Sequence, residues 1–322
     1  MSHVDGEPER VLAVADVPPD PAPGPGQVTV AVEAVGLNFL DVMLCRGTYP
    51  VKPPPPVTPG VEFAGRVVAG VAGLVGRDVI GCPALPAGAL GETVTIDASL
   101  VVPRPDSLDP VSAAAIPVTY QTAWFSLERA GVSTGDTVLV HAGAGGVGVA
   151  TTQLAVARGA RVICTAGGAA KTAACLANGA SVAIDYHASD FVAAVQAETG
   201  GAGVDVVVDP VGGAVFARSV DCLAFEGRLV AVGTAAGPPP PVDPMRLVAR
   251  NATLIGVSWG SAYPWQRPAE VAAAYGTLFA LHATGAVRPP VTRVVPLAGA
   301  PAALADLAAG RTTGKIVVRI GD

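Results

Sequence analysis

Between Gln27 and Val102 apolar and polar positions alternate in short runs broken by Gly and Pro: Val28 to Val35, Phe63 to Val71, Asp78 to Cys82 and Thr93 to Ile96. A period of two predicts half-buried strands, so this stretch reads as an irregular β-rich region. The texture changes after Asp109. Pro110 to Ala130 is Ala-rich with helical apolar spacing. Beyond it, near-continuous Val/Ile/Leu runs at Thr137 to His141, Arg161 to Thr165, Ser181 to Asp185, Val204 to Asp209 and Gly227 to Val232 alternate with helix-like segments at 148–158, 169–178, 189–198 and 214–223. Strands without a polar face, separated by helices, predict a parallel sheet covered on both sides. Past Pro241 come a strand at Thr253 to Ser258, helices near 270–284 and 300–309, and a closing strand at Lys315 to Ile320. The predicted architecture is α/β. A Rossmann-type doubly wound domain (118–249) is inserted into a β-rich domain built from 1–117 and 250–322.

Composition narrows the function classes. With 51% hydrophobic and 14% charged residues, the chain has enough apolar surface to fold despite 39 Gly and 30 Pro. A net charge of −6, with lysine only at Lys52, Lys171 and Lys315, gives no basic face for nucleic acid. Cys45, Cys82, Cys164, Cys175 and Cys222 are widely spaced, which predicts reduced thiols in a cytoplasmic setting rather than a disulfide framework or zinc ribbon. The polar, acidic opening residues show no secretory signal pattern. The uncharged run Thr137 to Ala157 is interrupted by Gly143, Gly145, Gly146 and Gly148, so it reads as strand, turn and helix rather than a membrane span. Pro53 to Pro56 reads as a stiff surface loop.

Val138 to Gly148 is an apolar strand running into Gly143-Ala144-Gly145-Gly146-Val147-Gly148, a Gly-x-Gly-x-x-Gly loop that opens a helix. In that context the glycines predict dinucleotide binding. Gly143 suits a tight turn, Gly145 lets backbone approach a pyrophosphate, and Gly148 allows close helix–strand packing, with donors at the helix N-terminus. An acidic residue about 20 positions on would grip a ribose 2′-hydroxyl. The second strand instead ends Cys164-Thr165-Ala166-Gly167-Gly168-Ala169-Ala170-Lys171. Thr165, the N–H groups of Gly167 and Gly168, and Lys171 favour a 2′-phosphate, hence NADPH over NADH.

Several ordered motifs together resemble zinc-independent medium-chain dehydrogenase/reductases of the quinone oxidoreductase type, which are related to the enoyl reductase domains of polyketide synthases. The stretches are Gly36 to Asp41, Arg46 to Pro50, Pro59 to Gly65, Ile116 to Trp124, Ala142 to Gly148 and Thr313 to Val318. The resemblance implies that the β-rich part is a GroES-like catalytic domain. It implies no metal, since Asn38, Val61 and Val118 stand where zinc-dependent relatives carry ligands, and His3, His141, His187 and His282 lack ligand-like spacing. It places Thr122 beside the nicotinamide ribose and Gly145, Gly146 and Val147 along the pyrophosphate. Gly167, Lys171 and Tyr186 match the 2′-phosphate set, Gly233 and Thr234 lie against the nicotinamide, and Lys315 lies near the cofactor. Asn38 stands where the family places a side chain near the nicotinamide and substrate oxygen. Family members usually open with an additional strand before the segment that here is Glu9 to Val17, and the region Val67 to Ile80 is shorter than is common.

The chemistry this implies is hydride transfer from NADPH to a small molecule, a quinone or an α,β-unsaturated carbonyl. Asn38 would stabilise charge on the substrate oxygen, and Tyr49 is the candidate acid; Asp41, three positions after Asn38, suits a helix-capping or ion-pairing role. An enoyl-thioester reductase is the alternative, with Arg46 and Lys52 as the nearby cations for an acyl-carrier or CoA phosphate. A protein that binds NADPH without significant turnover is the third reading. The apolar strand 253–258, at a predicted sheet edge, is expected to pair with its copy in a homodimer.

Overall fold

The computed structural model describes residues 6–17 and 22–321, so His3 and the rest of the opening segment lie outside the described residues. In chain order the strands are β1 (Gln27–Gly36), β2 (Phe63–Gly70), β3 (Asp78–Gly81), β4 (Thr93–Asp97), β5 (Val101–Pro103), β6 (Thr137–Val140), β7 (Arg161–Ala166), β8 (Val182–Asp185), β9 (Val204–Asp209), β10 (Leu223–Ala231), β11 (Thr253–Gly256), β12 (Val291–Pro296) and β13 (Lys315–Arg319). The helices are α1 (Pro8–Val11), α2 (Phe39–Cys45), α3 (Pro110–Ala113), α4 (Pro117–Arg129), α5 (Gly146–Ala157), α6 (Ala169–Ala177), α7 (Phe191–Glu198), α8 (Gly213–Ser219), α9 (Pro244–Val248), α10 (Trp259–Gln266), α11 (Pro268–Ala283) and α12 (Ala300–Ala308). The chain forms two compact units. One comprises Met1–Val118, Gln266–Phe279 and Pro289–Asp322, and the other Thr119–Trp265 and Ala280–Arg288.

The first unit is a sheet in the order β12-β13-β1-β2-β3-β5, with β4 also pairing β1. Alternation along β1 puts Val28, Val30, Val32 and Ala34 inside, and the first three pack with Phe63, Val67, Val94, Ile316, Val318 and Leu304 of α12. The C-terminal end of β1 is paired on both sides, by β13 at Ala34, Val35 and Gly36 and by β2 at Ala34 and Val35, and two residues separate it from α2. That anchoring positions Asn38.

The second unit is a fully parallel sheet in the order β11-β10-β9-β6-β7-β8. Strand order reverses between β6 and β9, and in doubly wound sheets ligands bind beyond the strand ends at such a point. The glycine loop follows β6, so sequence and topology select the same edge.

The structure corrects several boundaries. The single helix expected over Pro110 to Ala130 is two, because Pro117 lacks an N–H and disfavours helical backbone at the residue before it. The chain returns to the first unit at 266 rather than 250, since β11 adds in parallel to β10. β12, whose polar Thr292 and Arg293 mask an apolar pattern, was not expected, nor were β5, α9 and α10, the last carrying Pro264 inside it. Among the described residues α1, not a strand, precedes β1. No helix among them is long and apolar enough to cross a membrane, and Cys45, Cys82, Cys164, Cys175 and Cys222 are all free.

Candidate active site

In the second unit the glycine loop is shaped as a cradle. The left-handed residue of its turn is Ala142 (φ 50°), not Gly143, so Gly143 is required for a different reason: a Cβ there would sit 2.6 Å from that of Cys164 on β7. At Gly148 a Cβ would run into the Ala142 carbonyl, which seats α5 against the turn. At Gly145, by contrast, the nearest obstacle is that same carbonyl at 3.4 Å, leaving the backbone open to a phosphate. Gly145, Gly146 and Val147 are half-buried, and the first-turn N–H groups of α5 have no intrahelical partner. These residues fit a dinucleotide pyrophosphate.

Gly167, Lys171 and Tyr186 gather at the ends of β7 and β8 and the first turn of α6. A Cβ on Gly167 would lie 2.7 Å from the Tyr186 hydroxyl, so glycine is what lets that phenol, 48% exposed, sit there. Two expected donors are spent elsewhere. The Thr165 hydroxyl is buried and bonds His141 Nδ1 at 2.8 Å, and the Gly168 N–H donates to Asp185 Oδ1 at 2.9 Å. Thr165 and Gly168 therefore leave the list of phosphate donors.

His141 explains Thr165. Ser219 Oγ gives its hydrogen to the Val215 carbonyl, so it accepts from His141 Nε2–H at 2.9 Å, and Nδ1 in turn accepts from Thr165. Burial pushes the imidazole down to about 3, so it is a neutral crosslink between the ends of β6 and β7 and the helix α8. Asp185 was missed because only the second strand was searched for a carboxylate. Its Oδ1 takes the N–H groups of Gly168 and His187, which hold its carboxyl below the usual range. Asp209, at the end of β9, was missed too. Burial pushes it up to about 6, against the N–H groups of Val211 and Gly212, which pull the other way. Gly233 and Thr234 are exposed just beyond β10, and Thr122 is buried on α4.

The first unit holds a second cluster. Lys315 Nζ donates to the Leu37 carbonyl (2.7 Å), Asn38 Oδ1 (2.9 Å) and Glu62 Oε1 (2.5 Å), which uses all three of its hydrogens. Glu62 Oε2 accepts from Val118 N at 2.7 Å. Asn38 Nδ2 donates to Glu62 Oε1 (2.8 Å) and the Gly36 carbonyl (3.1 Å). Asp41 accepts from Asn38 N and Gly60 N, yet burial outweighs those donors and pushes it up to about 6. Asn38 is 8% exposed, Lys315 2% and Glu62 0%. Lys315, expected near the cofactor, is thus the charged centre of a buried knot, and Asn38 is held in it at both ends of its amide. Glu62 was missed because only its neighbour Val61 was read for its chemistry. Asp41 keeps its helix-capping role. Tyr49 is half-buried beyond the other end of α2, and burial raises its hydroxyl pKa, which makes it a weaker acid than an exposed tyrosine.

A family model described as "Alcohol dehydrogenase GroES-like domain" matches residues 24–106, and one described as "Zinc-binding dehydrogenase" matches 146–274. "Quinone oxidoreductase-like protein 2" of Mus musculus is 33% identical over 319 residues, covering 97% of this chain and 90% of the mouse protein. The chain belongs to the medium-chain dehydrogenase/reductase family, in its quinone oxidoreductase group. Among solved structures of that group, the Escherichia coli quinone oxidoreductase complexed with NADPH is 31% identical, with a TM-score of 0.90 over 98% of each chain. A phthioceranic/hydroxyphthioceranic acid synthase of Mycobacterium tuberculosis is 36% identical over 310 residues, 92% of this chain but 14% of the synthase. Among the described residues no three His, Cys, Asp or Glu side chains are grouped to hold a metal ion.

Lys315→Met strands the buried Glu62 carboxylate, and the expected cost is about 3–5 kcal/mol, read as a lower denaturant midpoint. Adding Glu62→Gln removes the stranded charge and recovers part of it; no recovery in the double variant would show that the lysine acts by packing alone.

Proposed function

We propose that this protein is an NADPH-dependent reductase that delivers hydride to a quinone or an α,β-unsaturated carbonyl without a metal. One observation carries the reading: a single unit combines an unobstructed glycine loop with Gly167, Lys171 and Tyr186 at the adjoining strand ends. Gly145, Gly146, Val147 and Gly148 hold the pyrophosphate, and Lys171 and the Tyr186 hydroxyl hold the 2′-phosphate. Thr122, Gly233 and Thr234 contact the nicotinamide end. NADPH, when bound, supplies a two-electron hydride from its nicotinamide C4.

Within this reading Asn38 acts on the substrate oxygen. Its hydrogen bond to Gly36 O is the longest of its three, so that amide hydrogen is the one most readily shared with a developing negative charge. Lys315 and Glu62 position the amide by fixing its other two contacts. The proton that completes reduction comes from water rather than Tyr49, whose burial holds it further from neutral pH.

The synthase relative favours an enoyl-thioester substrate as the second reading. It is weakened at one point, because Arg46 is committed to a two-pronged pair with Glu7 (2.9 and 3.1 Å), leaving Lys52 as the available cation of the two. Purified protein with NADPH is expected to oxidise it faster with an ortho-quinone than with a short enoyl-CoA, followed by loss of reduced-nicotinamide absorbance. Preference for the thioester selects the second reading, and no turnover with either rejects both.

Lys171→Ala is expected to weaken NADPH binding by about 1.5–3 kcal/mol, with little change for NADH. Equal losses for the two cofactors in a fluorescence titration would contradict the 2′-phosphate assignment. The same proposal includes a homodimer through β11, an edge strand whose Leu254 is 45% exposed. Sedimentation at working concentration is expected to return twice the chain mass, and a monomer would reject it.

A further inference from the structure

Two of the five cysteines lie together under the glycine loop. A Cβ built on Gly143 would sit 2.7 Å from Cys164 Sγ and 3.0 Å from Cys175 Sγ, so both sulfurs pack against a residue of the turn that carries no side chain. Cys164 belongs to β7 and Cys175 to α6, and their thiols hydrogen-bond each other. Thr152 of α5 also touches the pair, with its Oγ1 3.3 Å from Cys164 Sγ. Both cysteines are fully buried, and hydride transfer has no use for either.

The pair differs from the remaining thiols. Burial pushes Cys45 and Cys222 up to about 12 and raises Cys82 well above the usual thiol range. Cys175 alone is held below that range, by its hydrogen bond with Cys164. The thiolate is the form of cysteine that attacks an oxidant, and here a second thiol is already in contact with it.

We propose that Cys164 and Cys175 form a reversible disulfide on exposure to a peroxide, and that this bond weakens NADPH binding. The Cys175 sulfur attacks one oxygen of hydrogen peroxide, the O–O bond breaks, and hydroxide leaves with the thiol proton as water. The Cys164 sulfur then displaces the hydroxyl of the resulting sulfenic acid, which leaves with the second thiol proton as water. The two thiols lose two electrons and the peroxide gains them. Hydrogen peroxide is little larger than water, which suits a pair covered by the backbone of a single turn. Bonding draws the sulfurs to about 2.05 Å. Gly143 is wedged against both, so the turn that leads to Gly145 shifts with them. Lys171 stands four residues before Cys175 on the same face of α6, so the movement also reaches the cation assigned to the 2′-phosphate. The effect on affinity rests on the NADPH reading above; formation of the bond does not.

Trypsin cuts after Lys171, between the two cysteines, so the bond joins two peptides that are otherwise separate. Reduced full-length protein treated with hydrogen peroxide and digested without reductant is expected to yield the Cys164–Cys175 linked pair. In a fluorescence titration the oxidised protein is expected to bind NADPH at least tenfold more weakly, and dithiothreitol is expected to restore binding. Cys175→Ala is expected to bind NADPH as the untreated parent does, before and after peroxide; should that variant lose its circular dichroism, Cys164→Ala serves instead. Absence of the linked peptides, unchanged affinity in the linked protein, or a peroxide effect that persists in the alanine variant would overturn the proposal. An untreated protein that binds no NADPH would reject the cofactor reading and with it the effect on affinity, while the linked peptides still report the bond.

Discussion

A lysine ammonium with almost no exposure has to be matched where it lies, and Lys315 is matched by three oxygens from segments far apart in the chain. The Leu37 carbonyl and Asn38 amide come from the turn after β1, and Glu62 from the residue before β2. Glu62 then reaches on to the N–H of Val118 at the start of α4. Removing water from two opposite charges is costly, and only close geometry with further hydrogen bonds offsets the cost. Four segments are thereby tied to one point. Asn38 inherits its position from that knot, because its carbonyl and one amide hydrogen are used in building it.

The second unit solves a similar problem without a buried cation. Its parallel strands end in polar groups that must be satisfied inside the protein. His141 does so as a neutral crosslink to Thr165 and Ser219, and Asp185 and Asp209 do so by collecting backbone N–H groups of the loops that follow them. These bonds leave the glycine loop open above α5 while fixing the strand ends around it. The bonds tie the strand ends to the loops that follow them, and orientation of a reactive cofactor requires such support.

The two units divide the chemistry. The nucleotide-binding unit carries the glycine loop and most of the stretch matched by one family model. The first unit carries a knotted amide at Asn38 and an N-terminal segment fastened to α2 by Glu7 and Arg46. Fold alone does not select a substrate.

The α/β class, the inserted parallel domain and the glycine loop were legible in the sequence, because a buried parallel strand leaves a continuous apolar run and a pyrophosphate turn leaves spaced glycines. Gly145, Gly148, Lys171 and Tyr186 could be named as candidates from local spacing and resemblance. Other assignments depended on partners distant in sequence. Thr165 and Gly168 look like free donors until His141 and Asp185 are seen to claim them. Lys315 looks like a charge flanking a terminal strand until β13 sets it beside Glu62, more than two hundred positions earlier. β12 is hidden by its own polar residues and exists because β13 pairs with it. Local pattern determined which segments are strands, helices and phosphate-binding turns, since those depend on neighbours along the chain. Only the tertiary structure decided which polar groups are spent inside the protein and which remain for a ligand, because a hydrogen bond or a desolvated charge is settled by whatever packs against it.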